Sequence, residues 1–146
     1  MSDVIVTATT KRRKSRGQSM VEFALVLPLL LGFLLIAADF GRALTAYMTV
    51  SSSASEGASF ASRSSDNADN TVAIEQAALN EVGSDQEIWG ESPIVSVANG
   101  AGLVDTQGYR YVEVTVDYTF TPFAAVWPIP DEVEMSRTVR MRVLQD

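Results

Sequence analysis

One carboxylate in this chain stands where a carboxylate is costly. Glu22 opens an apolar run, Phe23 to Ala38, that contains no charged side chain. An acid at the mouth of such a run must reach interfacial water, take a proton or find a cation, so its default reading is functional. The structural alternative is a side chain lying at headgroup level without a partner. Elsewhere, composition limits the chemistry. The sequence has no cysteine and no histidine, which removes thiol chemistry, disulfides, the commonest general base and the usual zinc ligand sets. An acidic hydrolase using Asp and Glu is a distant alternative, because no carboxylate pair falls in a recognisable motif. The segment from Ser64 to Asn70 offers oxygen side chains to calcium but lacks the glycine and distal glutamate of an EF-hand loop. The expectation is therefore a protein that is not an enzyme and carries no cofactor or metal.

The element that positions Glu22 is a long helix. From Gln18 to Ala38 the chain has about 20 residues with only one charge, enough to cross roughly 30 Å of hydrocarbon. A helix does this because it satisfies its own backbone groups. Pro28 inside the run removes one hydrogen bond, which membrane helices tolerate. Lys11, Arg12, Arg13, Lys14 and Arg16 precede the run, and basic residues at the end of a span stay on the cytoplasmic side. The same cluster could be read as a nucleic-acid patch, but its place beside a span favours topology, with possible contact to anionic lipid. Two plainer readings share this pattern: a secretory signal peptide cut near Gly41-Arg42-Ala43, and an uncleaved signal anchor.

The spacing from Gly17 through Gln18-Ser19-Met20-Val21 to Glu22, behind a basic leader and ahead of an apolar helix, resembles the processing site of type IV prepilins. That resemblance implies cleavage by a prepilin peptidase after Gly17, leaving Gln18 as the new N-terminus. The freed α-amine of one subunit would then pair with Glu22 of a neighbour. Further along, Phe23-Ala24-Leu25-Val26-Leu27-Pro28, then Asp39-Phe40-Gly41-Arg42-Ala43 and Ala54-Ser55-Glu56-Gly57-Ala58, resemble the signature of TadE-like pseudopilins of tight-adherence (Flp-type) pilus systems. The similarity covers about Gly17 to Ala61, and the TadF type shares the leader logic. It implies a structural pilus-assembly protein in the bacterial inner membrane. The implied partners are the peptidase, other pilins or pseudopilins, the inner-membrane assembly platform and lipid, with no nucleic acid.

Charge divides along the chain. The net charge is −7, and five of the 11 basic residues lie in the leader, so loss of residues 1–17 leaves a strongly acidic chain unsuited to nucleic acid. Beyond the span the helix is expected to continue to about Ser65, with Phe40, Leu44, Tyr47, Ser51, Ala54, Ala58 and Ala61 on one face. Small residues on the later part of that face let another backbone approach. Either neighbouring pilin helices or the chain's own domain would bury it. Asp39 and Arg42 are placed to pair across a turn.

After a polar turn at Ser64–Asn70, Asp69 or Asn70 is expected to cap a helix over Thr71–Val82, ended by Gly83, with Val72, Ala73, Ala77, Leu79 and Val82 as its apolar face. The period then changes to two. Strands are expected over Ile94–Ala98, Tyr109–Phe120 and Val133–Leu144, with a turn at Asn99–Gly102. Val112, Val114, Val116, Tyr118 and Phe120 face inward on the second. Val133, Met135, Val139, Met141 and Val143 do so on the third, with Arg137 the exception. Arg140 and Arg142 would face Glu113 and Asp117 across an antiparallel pair. The Pro-rich segment from Thr121 to Pro130 cannot be a central strand, and Phe123, Val126, Trp127 and Ile129 are expected to close the core, an exposed docking patch being the alternative.

The sequence thus implies an α+β, pilin-like protein: a basic leader at 1–17, a transmembrane and extended helix at 18–65, and an exported α+β domain at 66–146 with a small antiparallel sheet. The N-terminus would be cytoplasmic and the C-terminal part outside, with incorporation into the pilus left open. The competing function is an unprocessed signal anchor whose exported domain binds an envelope partner.

Overall fold

The computed structural model describes residues 16–82, 92–98, 103–123 and 130–144. Lys11, Arg12, Arg13 and Lys14 of the leader cluster, Gly83, the expected turn at 99–102, and Val126, Trp127 and Ile129 lie outside the described residues. Contacts divide the chain into two units, Met1–Leu34 and Leu35–Asp146. Helix α1, Arg16–Ser62, supplies the described part of the first and the opening element of the second. Its apolar stretch is long enough to cross a membrane and has no buried residue along it. Pro28 sits inside it, as expected.

In the second unit the chain turns back on itself after Ser62, a few residues earlier than the sequence suggests. Phe60 carbonyl accepts from Asn67 Nδ2 at 3.2 Å, and Ser64 Oγ accepts from the Asn67 amide at 3.2 Å. These two bonds stop α1 and start a single helical turn, α2, Ser65–Asp69. Asn70 then caps α3, Thr71–Val82, its Oδ1 accepting from the Ala73 amide at 3.1 Å.

The face that α3 presents differs from the expected one. Ile74 and Ala78 are fully buried, whereas Val72 is 61% exposed. Crossing close to Gly57 of α1 selects the pair spaced by four, and the side carrying Val72 turns outward.

Strands β1 (Ile94–Ala98), β2 (Tyr111–Phe120) and β3 (Val133–Arg142) form an antiparallel sheet in the order β1-β2-β3. β2 begins two residues later than its sequence pattern suggests. A turn precedes it, in which Asp105 Oδ1 accepts from the amides of Gln107 at 2.8 Å and Tyr109 at 2.9 Å. Gly108 takes φ +83° there, a conformation that suits only glycine well. Along β2, Val112, Val114, Val116, Tyr118 and Phe120 are all buried and alternate residues are not. They meet Ala46, Val50, Ala54, Ala58 and Ala61 of α1 in one core. Small side chains on α1 let the helix lie close to the sheet, as their spacing suggests.

The pairing register corrects one expectation. Glu113 stands opposite Arg140, but Asp117 stands opposite Ser136 and Arg142 opposite Tyr111. Two arginines two residues apart cannot both face acids four residues apart in one register. Ser136 Oγ donates to Asp117 instead, and Arg142 reaches Asp105 at 2.6 Å. Arg137 shares the inward face with Val116 across the pair yet remains exposed. A charge on the inner side of an edge strand discourages another strand from adding there.

Candidate functional site

The first functional residues lie at the start of α1. Among the described residues, a Cβ added at Gly17 would meet nothing within 4 Å. Packing therefore places no demand for glycine at this position. Gln18 and Glu22 are one turn apart, both exposed, and Gln18 Nε2 donates to Glu22 Oε1 at 3.3 Å. The atoms at the head of the helix and the carboxylate thus share one face. The apolar side chains that follow, Phe23, Leu25, Leu29, Leu30 and Phe33 among them, are exposed.

The expected packing face divides in two within the second unit. Ala54, Ala58 and Ala61 are fully buried, whereas Phe40, Leu44 and Tyr47 are 66%, 44% and 50% exposed. The upper part is covered by the chain's own sheet and by α3. The lower part keeps its bulky side chains at the surface. Below Ala54 the covered side of α1 runs through Val50 and Ala46 instead, and Phe40, Leu44 and Tyr47 are left at the surface.

Asp39 and Arg42 pair as the sequence suggests, Arg42 Nη1 donating to Asp39 Oδ1 at 2.9 Å. The sequence did not reveal what else they hold. The amide of Phe123 donates to the same Asp39 oxygen at 3.1 Å. The Arg42 guanidinium lies over the Phe123 ring at 3.8 Å and over Phe120 at 5.1 Å. Asp39 is buried within this arrangement, Pro122 beside it is buried, and Phe123 is 75% exposed. Of the four apolar residues expected to close the core, Phe123 therefore faces outward, because its backbone is committed to Asp39 and its ring to Arg42.

Two further ion pairs fasten the opposite end of the sheet. Arg110 bonds Asp69, and its hydrogen bond holds the Asp69 carboxyl below its ordinary range. The Tyr109 amide first, helped by the Gln107 amide and Arg142, does the same to Asp105 against the opposing effect of burial. A carboxyl depressed in the folded state adds stability above its unfolded pKa, near 3.8, and loses it as pH falls through the folded value. The thermal midpoint of the full chain in detergent should be flat above about pH 5 and fall below about pH 4. The double variant Asp69→Asn, Asp105→Asn should flatten that acid limb.

The geometry defines a class first: an α+β protein whose N-terminal helix has Gly17 in its first turn, carries Glu22 one turn after Gln18, and continues as an exposed apolar stretch long enough to cross a membrane. Comparison with known proteins then gives a family likeness for one segment. Residues 17–59 match the model of the TadE-like protein family, so that segment of the chain is TadE-like, of the kind found in Tad pilus systems. The match includes Gly17, Glu22, Asp39, Arg42 and Gly57 and stops short of the sheet. No curated protein matches the chain, and no solved structure does.

Proposed function

We propose that the chain is a TadE-like minor pseudopilin, anchored in the bacterial inner membrane by α1, cleaved after Gly17 and acting structurally in pilus assembly. The observation that carries this reading is the conjunction of Gly17, Gln18 and Glu22 at the head of an exposed apolar helix within the TadE-like segment. Cleavage would convert the Gln18 amide into a cationic amine on the same face as the carboxylate. A carboxylate at the edge of hydrocarbon is stabilised by such a cation, and an amine contributed by an adjacent subunit would join two chains. The leader would face the cytoplasm, by the bias of Lys and Arg, and the sheet would lie outside. The partners are then the peptidase, other pilins or pseudopilins and the assembly platform, and the protein performs no catalysis.

The open space at Gly17 makes a clean test available. Gly17→Leu should leave the melting behaviour of the chain unchanged, since no neighbour is within reach. It should nevertheless abolish shortening by a co-expressed prepilin peptidase, read as intact mass. A Gly17→Leu chain that is shortened as the natural one is would overturn glycine-directed cleavage, and a natural chain that the peptidase leaves at full mass would favour an unprocessed signal anchor.

A further inference from the structure

Phe123 is a large apolar side chain in an unusual position. It is 75% exposed, yet its amide is fixed to Asp39 and its ring faces Arg42. Asp39 is the first residue after the uncharged run of α1. We infer that the start of the β2–β3 connection, carrying Phe123, rests in the headgroup layer of the membrane that α1 crosses, with Asp39 as the tether that holds it there. The inference rests on the membrane reading of α1 given above.

Three observations lead to lipid rather than to another protein. The level is set by covalent continuity. The headgroup layer is roughly 5 to 7 Å deep on each side of the hydrocarbon, and a helix rises about 1.5 Å per residue. Asp39 to about Ala43 therefore fall within it, and tilt only draws them closer to the hydrocarbon. Phe123, 3.1 Å from Asp39 through its amide, shares that level in every anchored copy.

The local chemistry is that of an interface. An aromatic ring paired with a guanidinium presents one apolar and one polar side, the combination found where headgroups meet acyl chains. Asp39 and Arg42 neutralise one another, so no net charge opposes a zwitterionic lipid. Depth is limited from the other end of the same connection, where Asp131 and Glu132 are exposed. Acids do not enter hydrocarbon readily, so the connection lies shallow.

The opposite end of the sheet supplies a reference. The Leu144 amide donates to Ser62 carbonyl at 2.9 Å, so the Asp105–Tyr109 turn and the end of β3 lie beside the last turn of α1, away from Asp39.

The test uses spin labels, which the absence of native cysteine makes site-specific. Full-length chains carrying Thr121→Cys, Leu30→Cys or Gln107→Cys are reconstituted in phosphatidylcholine nanodiscs. Collision with oxygen is compared with collision with a water-soluble nickel chelate. Leu30 is expected to read as hydrocarbon, Gln107 as water, and Thr121 as the interface, with nickel collision well below that at Gln107. Adding Asp39→Ala should shift the Thr121 label to the Gln107 value. A water-like Thr121 beside a lipid-like Leu30 overturns the inference and leaves the span intact. A water-like Leu30 overturns the span and the inference together. A Thr121 signal at the interface that Asp39→Ala does not move overturns the role of Asp39 as tether.

Discussion

Gly57→Leu should unfold or severely loosen the second unit. A Cβ at this position would stand 3.1 Å from Ala78 Cβ, 3.2 Å from Val114 Cγ1 and 3.4 Å from the Ile74 carbonyl oxygen. Ala78, Val114 and Ile74 are fully buried, and they belong to α3 and to the central strand. A leucine adds further atoms where none fit. Overpacking of a tight core costs about 1 to 3 kcal/mol and sometimes more, and the gain in helix propensity on replacing glycine is about 1 kcal/mol. The crowding wins because one neighbour is backbone and the two side chains are already confined. With the crowding at the top of that range, the net loss of about 2 kcal/mol corresponds to a fall in melting temperature of roughly 10 °C for a unit of this size, measured by circular dichroism on the full chain in detergent. Gly41→Ala, where a Cβ meets nothing within 4 Å, should leave the midpoint within a few degrees. Equal behaviour of the two variants would mean that α1 does not pack on α3 and β2 at Gly57.

Glu22→Ala should have the complementary phenotype: a stable, cleaved chain that does not assemble. Glu22 is exposed and bonds Gln18 within its own turn, so its loss removes little from the fold. In the proposed assembly its carboxylate meets the amine of a neighbouring chain at the edge of hydrocarbon. Truncating one partner of a charge pair removed from water costs about 2 to 5 kcal/mol, equivalent to at least about thirtyfold in affinity. Co-purification of the chain with pilin partners from membranes should fall by that factor. Glu22→Gln keeps a hydrogen-bond acceptor for Gln18 but lacks the charge, and should fail similarly. Normal assembly by Glu22→Gln would show that hydrogen bonding, rather than charge, is what position 22 supplies.

Much of this architecture is legible in the residues because its signals are local. The apolar run declares α1, the period of two declares β2 and β3, and Asn70 declares the start of α3. The Asp39–Arg42 pair is equally visible, being one turn apart. What escapes is whatever depends on contact across the chain. The inward residue of α3 is Ile74 because Gly57 lies beneath it, and nothing near Ile74 in the sequence says so. The bond from Phe123 to Asp39 joins residues 84 positions apart, and no periodicity encodes it. Alternation along β3 identifies which side chains share a face but leaves the pairing register open, and so Asp117 meets Ser136 and not an arginine. The stripe from Phe40 to Ala61 is a single face by spacing, yet the chain's own sheet covers only its upper, small-residue half. In the proposed function, the exposed lower half is where α1 has bulky side chains left to offer a membrane or a neighbour.

In the proposed function, everything at the head of α1 turns on processing between Gly17 and Gln18. Its most direct test is the intact mass of the membrane-extracted protein, expressed with and without a prepilin peptidase. The chain is expected to begin at Gln18 only when the peptidase is present, with the new glutamine partly cyclised. A chain that keeps Lys11 to Gly17 under both conditions, or one that begins near Leu44, would contradict it.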